Sequence, residues 1–360
     1  MNPPSLPKVV LPPEWEPQDA LMVTWPHPET DWAPVRADVE PIWIAIAQAV
    51  TPHQRLWIVV PNQTEHDRVW TLLDHAGIDR RQVDLWQVPS NDTWARDHGP
   101  LTVRTMDGRC IPLDFTFNGW GGRYPAHDDN AITAGLAQQG AFASAPWPVE
   151  MVLEGGSLDV DGQGALLTTR RCLLNPNRNP NLDEETIAQR LRQTLGVEVI
   201  HWLTHGHLEG DDTDGHIDTL ARFAPSGTIV HVACDDPDDP HAEPLAAMAL
   251  ELAALRDRQG RPYRLLPLPW PRPKHSLTGE RLPASYANYV ILNGAILAPC
   301  YQDPADEQAQ AVLAEAYPGR TVVGIDSLGL IEQGGSLHCL TMQLPRGTAA
   351  QPTGTGSASI

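Results

Sequence analysis

Basic residues are scarce in this sequence. Its 25 Lys and Arg stand against 45 Asp and Glu, a formal net charge of -20. Nucleic-acid binding favours the opposite balance, so that class is set aside, while attraction of a cationic molecule is permitted. Cysteine is sparse as well. Cys110, Cys172, Cys234, Cys300 and Cys339 are odd in number, widely spaced and without a CxxC pair. That excludes a disulfide framework and fits a reducing cytoplasm. No apolar run is long enough to span a bilayer, so no membrane association is expected. The proline-rich segment Met1–Pro17 lacks the apolar core of a secretory signal. No flexible linker breaks the chain before Gly347. A single domain over 1–346 is therefore expected, with a disordered Gly/Ser/Thr/Ala tail over 347–360.

What is present is alternation. Gln18–Trp25, Leu56–Val60 and Val83–Val88 read as buried strands, and Asp38–Val50 and Glu65–His75 as helices. Further helices are expected near Ala131–Gln138, Asp183–Thr194, Pro244–Arg258 and Asp303–Ala316. Asp107-Gly108, Asp161-Gly162 and Asn293-Gly294 each separate two strand-like runs and predict hairpins. One internal echo stands out: Gly155-Gly156-Ser157-Leu158 returns as Gly334-Gly335-Ser336-Leu337. The first copy leads to Asp159, the second to His338-Cys339, which suggests a repeated β unit with chemistry in only some copies.

Three polar clusters could carry that chemistry. Gly210 to Asp218 is the densest; if Asp214 to Asp218 is extended, Asp214, His216 and Asp218 share one face, a general base beside acids. A calcium loop is a rival, but Gly210 occupies the position of its first ligand. A solvated acidic turn is another. Asn91 to Asp97 fits a pocket rim around Trp94, or a surface loop with an Arg96–Asp97 pair. Glu154, before Gly155-Gly156, is the third. Cys339 supplies a nucleophile if a base or positive partner lowers the thiol's cost of ionisation, although a free cysteine often only packs. His338 adjoins it, but neighbours on a strand face opposite ways. His201, His205 and His207 could suggest zinc, yet Gly206 breaks the helix that would fix them, and no metal is expected. A cysteine, a histidine and several carboxylates without a basic pocket suit a planar cation. Carboxylates grip a guanidinium bidentately, and a thiolate can attack its carbon.

These motifs resemble the agmatine deiminase and bacterial-type peptidyl-arginine deiminase family of the guanidino-modifying pentein superfamily. The matching segments are Trp15-Glu16-Pro17, Thr24-Trp25-Pro26, Asn91 to Asp97, Phe117 to Gly122, Glu154-Gly155-Gly156, Asp211 to Asp218, Asn293-Gly294 and Gly334 to Cys339. The resemblance implies an α/β fold, a five-bladed α/β propeller of ββαβ-type modules around a central active site. It implies Cys339 as nucleophile, His216 as general acid and base, and Asp97 and Asp218 as the guanidinium clamp. Glu154 would support His216, Trp94 would line the pocket, and Asp212 would approach a distal amine. It implies a hydrolase turning agmatine into N-carbamoylputrescine and ammonia through a covalent thiouronium, with no cofactor and no metal. The partner is a small cationic guanidine, not nucleic acid or a membrane, and a homo-oligomer is left open. Agmatine-specific members often carry a third glycine where this chain has Gln333, and the Asn175 to Pro180 run looks like a separate branch. Free or peptidyl arginine therefore stays as the alternative substrate, and a silent guanidine-binding protein or a metal-dependent hydrolase as alternative functions.

Overall fold

The structure, a computed structural model, describes residues 6–351. Among these the strands form five separate sheets. They share one recipe: an antiparallel pair, then a helix, then a strand parallel to the second. Leu158–Val160 and Ala165–Thr169 pair antiparallel, and helix Glu184–Leu195 leads to Val199–Leu203, which runs parallel to Ala165–Thr169. The order recurs in Ala221–Ala224, Thr228–Val232 and Arg264–Leu268, and again in Val290–Ile291, Ala295–Cys300 and Thr321–Asp326. It also builds Leu101–Thr105, Cys110–Thr116 and Trp147–Val152, with Val9–Val10 added at the edge. The remaining sheet joins the chain's two ends. Thr341–Pro345 pairs antiparallel with Gln18–Thr24, which continues in parallel to Arg55–Val60 and then Val83–Gln87.

Local chemistry accounts for these elements. In Glu184–Leu195, Ile187, Ala188, Leu191 and Leu195 form the buried face. The Asp183 side chain accepts from the Thr186 N–H at one end, and Gly196 closes the other with a φ of 68°. The expected helices over 38–50 and 65–75 are present as Arg36–Val50 and Gln63–His75, the second capped by Asn62, about two turns before the apolar pattern begins at Val69. All three turn dipeptides join antiparallel strands. Asn293-Gly294 differs in its reason: Gly294 needs no left-handed φ, but a Cβ there would lie 2.5 Å from the His53 ring.

The expectation of a disordered tail from Gly347 is corrected for residues 347–350. Gly347 and Ala349 donate backbone N–H bonds to Asp19 Oδ2, Thr348 is buried, and Ala350 bonds the Ala141 carbonyl. Residues 352–360, the rest of the expected tail, lie outside the described residues.

One consequence of the recipe matters for the site. The last strand of every sheet runs into a loop, and these loops carry the candidate residues. Trp94 and Asp97 follow Val83–Gln87, Glu154 follows Trp147–Val152, and His216 and Asp218 follow Val199–Leu203. Asn288 follows Arg264–Leu268, and Cys339 follows Thr321–Asp326.

Candidate active site

The loops meet at Gly156. A Cβ built there would stand 2.6 Å from His216 Nδ1, 2.9 Å from Asp97 Oδ1 and 3.0 Å from Asp218 Oδ2. Only hydrogen fits, which gives the first half of the Gly-Gly-Ser-Leu echo a physical reason. The second half has its own: a Cβ on Gly335 would lie 2.2 Å from the Trp94 ring. Both repeats use their second glycine to let a site side chain approach the backbone.

Cys339 lies in a turn at 336–340, ahead of the strand Thr341–Pro345, and only 6% of it is exposed. Asn288 holds this turn. Its Oδ1 accepts from the His338 and Cys339 N–H groups at 2.9 and 3.3 Å, which turns its Nδ2 toward the Cys339 sulfur at 3.3 Å. Asp218 Oδ2 is 3.9 Å from the same sulfur. Burial, together with Asp218 and Asp97, pushes the thiol pKa well above its ordinary value, and His216 only partly opposes them. In this arrangement the sulfur is a neutral thiol.

His216 is fully buried between two carboxylates, with Nδ1 3.7 Å from Asp97 Oδ1 and Nε2 3.5 Å from Glu154 Oε2. Neither approach is a hydrogen bond, so both ring nitrogens are unpartnered while the charges remain close. Burial pulls the imidazole pKa down, but Asp97 foremost, with Cys172 and Glu154, raises it well above the ordinary value. Burial pushes the Asp97 carboxyl up to about 6, with His216 opposing and Asp218 and Glu154 adding to the rise. Asp97 is fixed by a bond from Trp120 Nε1 at 3.0 Å and one from the Gly156 N–H at 2.9 Å. Trp120 itself has a φ of 53°, rare for a bulky residue, so the chain accepts local strain to bring its indole there.

The expectation of an extended Asp214–His216–Asp218 face is corrected. Asp214 and Gly215 have φ of 67° and 87°, and Ile217–Thr219 is a helical turn. His216 and Asp218 therefore converge, while Asp214 turns away to Arg178 and Arg123. Arg178 comes from the 175–180 run that departs from the pattern. It donates through Nε to both Glu154 oxygens at 3.1 Å and through Nη2 to the Thr213 carbonyl at 2.9 Å. The Arg96–Asp97 pair is also corrected, since Arg96 bonds Gln343 Oε1 at 2.6 Å instead. His338 does not face the thiol as its base; its ring joins Asp218 and Glu14.

Cys339, Asp97, Trp94 and Asp212 line a cavity of about 770 Å³. Its wall also carries Asp31, Asp92, Glu209, Glu280 and Glu332, and Arg281, the one arginine lining it among the described residues, is held by Asp239. Asp212 accepts from the Tyr124 hydroxyl at 2.8 Å. Burial pushes the Asp92 carboxyl, which accepts from Trp94 Nε1, up to about 7.

Among the described residues, one trio brings metal-ligand atoms together: Glu154, Cys172 and His216, within 4.8 Å of one another. Arg178 already bonds both oxygens of that Glu154, which disfavours a second cation beside it. His201, His205 and His207 form no such group there. Glu14, Asn288 and Arg178 escaped the sequence reading because each acts across a long sequence separation. Only Arg178 left a signal, as a motif departure.

A family model for the Porphyromonas-type peptidyl-arginine deiminases matches residues 10–345. Agmatine deiminase of Stutzerimonas stutzeri is 34% identical over 362 residues, covering 93% of this chain and 95% of that protein. A solved structure from Porphyromonas gingivalis, provisionally named an arginine deiminase, is 46% identical, with a TM-score of 0.88 over 95% of this chain and 100% of that one. A cysteine-to-serine variant of C. jejuni agmatine deiminase, solved with substrate bound, is 35% identical, with a TM-score of 0.86 over 94% of this chain and 97% of that one.

Proposed function

The chain belongs to the Porphyromonas-type peptidyl-arginine deiminase family, and from that premise we propose that it hydrolyses agmatine to N-carbamoylputrescine and ammonia. The observation that carries the reading is the convergence of Asp97, His216 and Asp218 on Gly156, with Cys339 at 3.9 Å from Asp218, in an acidic cavity.

In this reading the substrate completes the charge balance. Asp97 and Asp218 raise the thiol pKa of the free enzyme, and a guanidinium between them removes that penalty. The Asp218 Oδ1, buried and unpartnered, gains a donor at the same time. As the cation binds, the thiol releases its proton to solvent water, and the thiolate attacks the guanidinium carbon, with Asn288 Nδ2 donating toward the sulfur. His216, held as imidazolium, gives a proton to one amino group, and ammonia leaves as the C–N bond breaks. The neutral imidazole then takes a proton from water as its oxygen bonds the thiouronium carbon. The C–S bond breaks as the hydroxyl proton passes to solvent water, releasing the ureido product and the thiolate. Glu154, pinned by Arg178, keeps the second side of the imidazolium charged and fixed.

Agmatine is favoured over arginine because the wall beyond the clamp is acidic. Asp212, set by Tyr124, can meet the distal amine, whereas an α-carboxylate would meet like charge. The five ββαβ sheets support a five-bladed propeller, one catalytic unit that takes in the residues up to Ala350, and the free cysteines fit a cytoplasmic enzyme. A panel of agmatine, arginine and arginyl peptides, read by ammonia and ureido product, tests the proposal. A higher kcat/KM for arginine or a peptide than for agmatine overturns the substrate; no product from any of them overturns the chemistry.

A further inference from the structure

We propose that His338, backed by Glu14, is a positioning residue that sets the Asp218 carboxylate for a cationic substrate. The inference rests on the deiminase reading above and adds two residues to it. His338 is 2% exposed, with Nδ1 2.7 Å from Asp218 Oδ2 and Nε2 2.9 Å from Glu14 Oε2. The ring therefore bridges the two carboxylates, one at each nitrogen.

Glu14 cannot turn away from that ring. Its Oε1 accepts from the Ile291 N–H at 2.7 Å, and its Oε2 also accepts from Arg222. Arg222 in turn bonds Asp159 and lies over the Tyr289 ring. Glu14, Asp159 and Asp218 thus stand against Arg96, Arg222 and His338 in one buried network.

The consequence falls on Asp218. His338 takes Oδ2, while Oδ1 is buried with no partner. An unpaired buried acceptor costs free energy that a substrate N–H recovers, so pinning Oδ2 keeps the other oxygen available to the guanidinium. The same residue's N–H is bound by Asn288, whose Nδ2 faces the sulfur. One turn therefore holds nucleophile and clamp in register.

Asp218 is faced by His338 and Cys339 from the 336–340 turn, by His216 from its own loop, and by Asp97 and Arg96 from the 94–98 turn. Arg222 faces it from strand Ala221–Ala224, and Glu14 lies behind His338. Against the burial that would raise it, His338 holds the Asp218 carboxyl below the usual range. Removing the ring raises that pKa, so the carboxylate that binds a cation forms only at higher pH.

The test compares wild type, H338Q and E14Q with agmatine across pH. H338Q is expected to lower kcat/KM near neutral pH by at least about 100-fold, the scale of breaking a buried ion pair. Its acid limb should move up by about one pH unit or more, with KM rising more than kcat falls. E14Q should move the limb the same way by less. An H338Q profile lowered equally at every pH, with KM unchanged, overturns the proposal. If H338Q does not fold, a folded E14Q with an unmoved acid limb overturns it. Wild type that releases no ammonia from any guanidine sinks the functional reading separately. Agmatine titrated calorimetrically into wild type and E14Q over the same pH range then decides the positioning claim, an identical pH dependence counting against it.

Discussion

Gly156→Ala is the smallest change that reaches the whole site. To bring the added methyl to an ordinary contact of 3.4 Å, His216 would have to retreat by about 0.8 Å, Asp97 by about 0.5 Å and Asp218 by about 0.4 Å. None is free to move cheaply. Asp97 is held by Trp120 and the Gly156 N–H, Asp218 by His338, and His216 is fully buried. Gly156 has no left-handed φ, so backbone strain does not contribute. Overpacking of this kind costs about 1–3 kcal/mol of stability, which a chain this size should tolerate. Misplacing reacting groups by up to about 1 Å costs on the order of 100-fold in rate. Gly156→Ala should therefore fold with a modestly lowered Tm and lose at least about 100-fold in kcat/KM for ammonia release. A folded variant within threefold of wild type would refute the idea that these three side chains form one site around this glycine.

Other outcomes follow from the same geometry. Asp97→Asn and Asp218→Asn should each cut activity by several orders of magnitude, since losing one partner of a buried charge pair costs about 3–5 kcal/mol; near wild-type kinetics in either would remove the clamp. Iodoacetamide labelling of Cys339 in the free enzyme should be slow at neutral pH and still rising with pH beyond 9, because its raised pKa leaves little thiolate below that value; a plateau below pH 7 would contradict the neutral-thiol account. Chelators should leave turnover unchanged, and activity lost with chelator and restored by zinc would favour a metal centre at Glu154, Cys172 and His216.

The sequence was most readable where structure is local. Asp107-Gly108 and Asp161-Gly162 mark hairpins because the Gly φ values of 87° and 70° are ones few other residues adopt. Four of the expected helices match to within two residues, the usual uncertainty at helix ends, whereas the one expected to reach Arg258 stops at Ala254 and the one expected from Asp303 starts at Asp306. The candidate site is legible as four separate stretches, but not as an arrangement. Asp214 was placed beside His216 by assuming a strand, and the left-handed pair Asp214-Gly215 turns it to Arg178 instead. Glu14 meets His338 across 324 positions, and Asn288 meets Cys339 across 51. No local pattern announces such partners, because burial and charge balance select them only after the sheets assemble. Residues 347–350 depart from the expected tail for a related reason: a low-complexity composition does not reveal that Asp19 will accept the Gly347 and Ala349 N–H groups.

The central claim is that Cys339 carries the substrate covalently. Rapid quench of wild type with agmatine, followed by proteolysis and mass spectrometry, tests it directly. The predicted result is a transient adduct equal to agmatine less ammonia, confined to the peptide holding Cys339 and absent in Cys339→Ala, which should stay folded and release no ammonia. An adduct on Cys172 or another of the remaining cysteines, or full turnover by Cys339→Ala, would contradict the account.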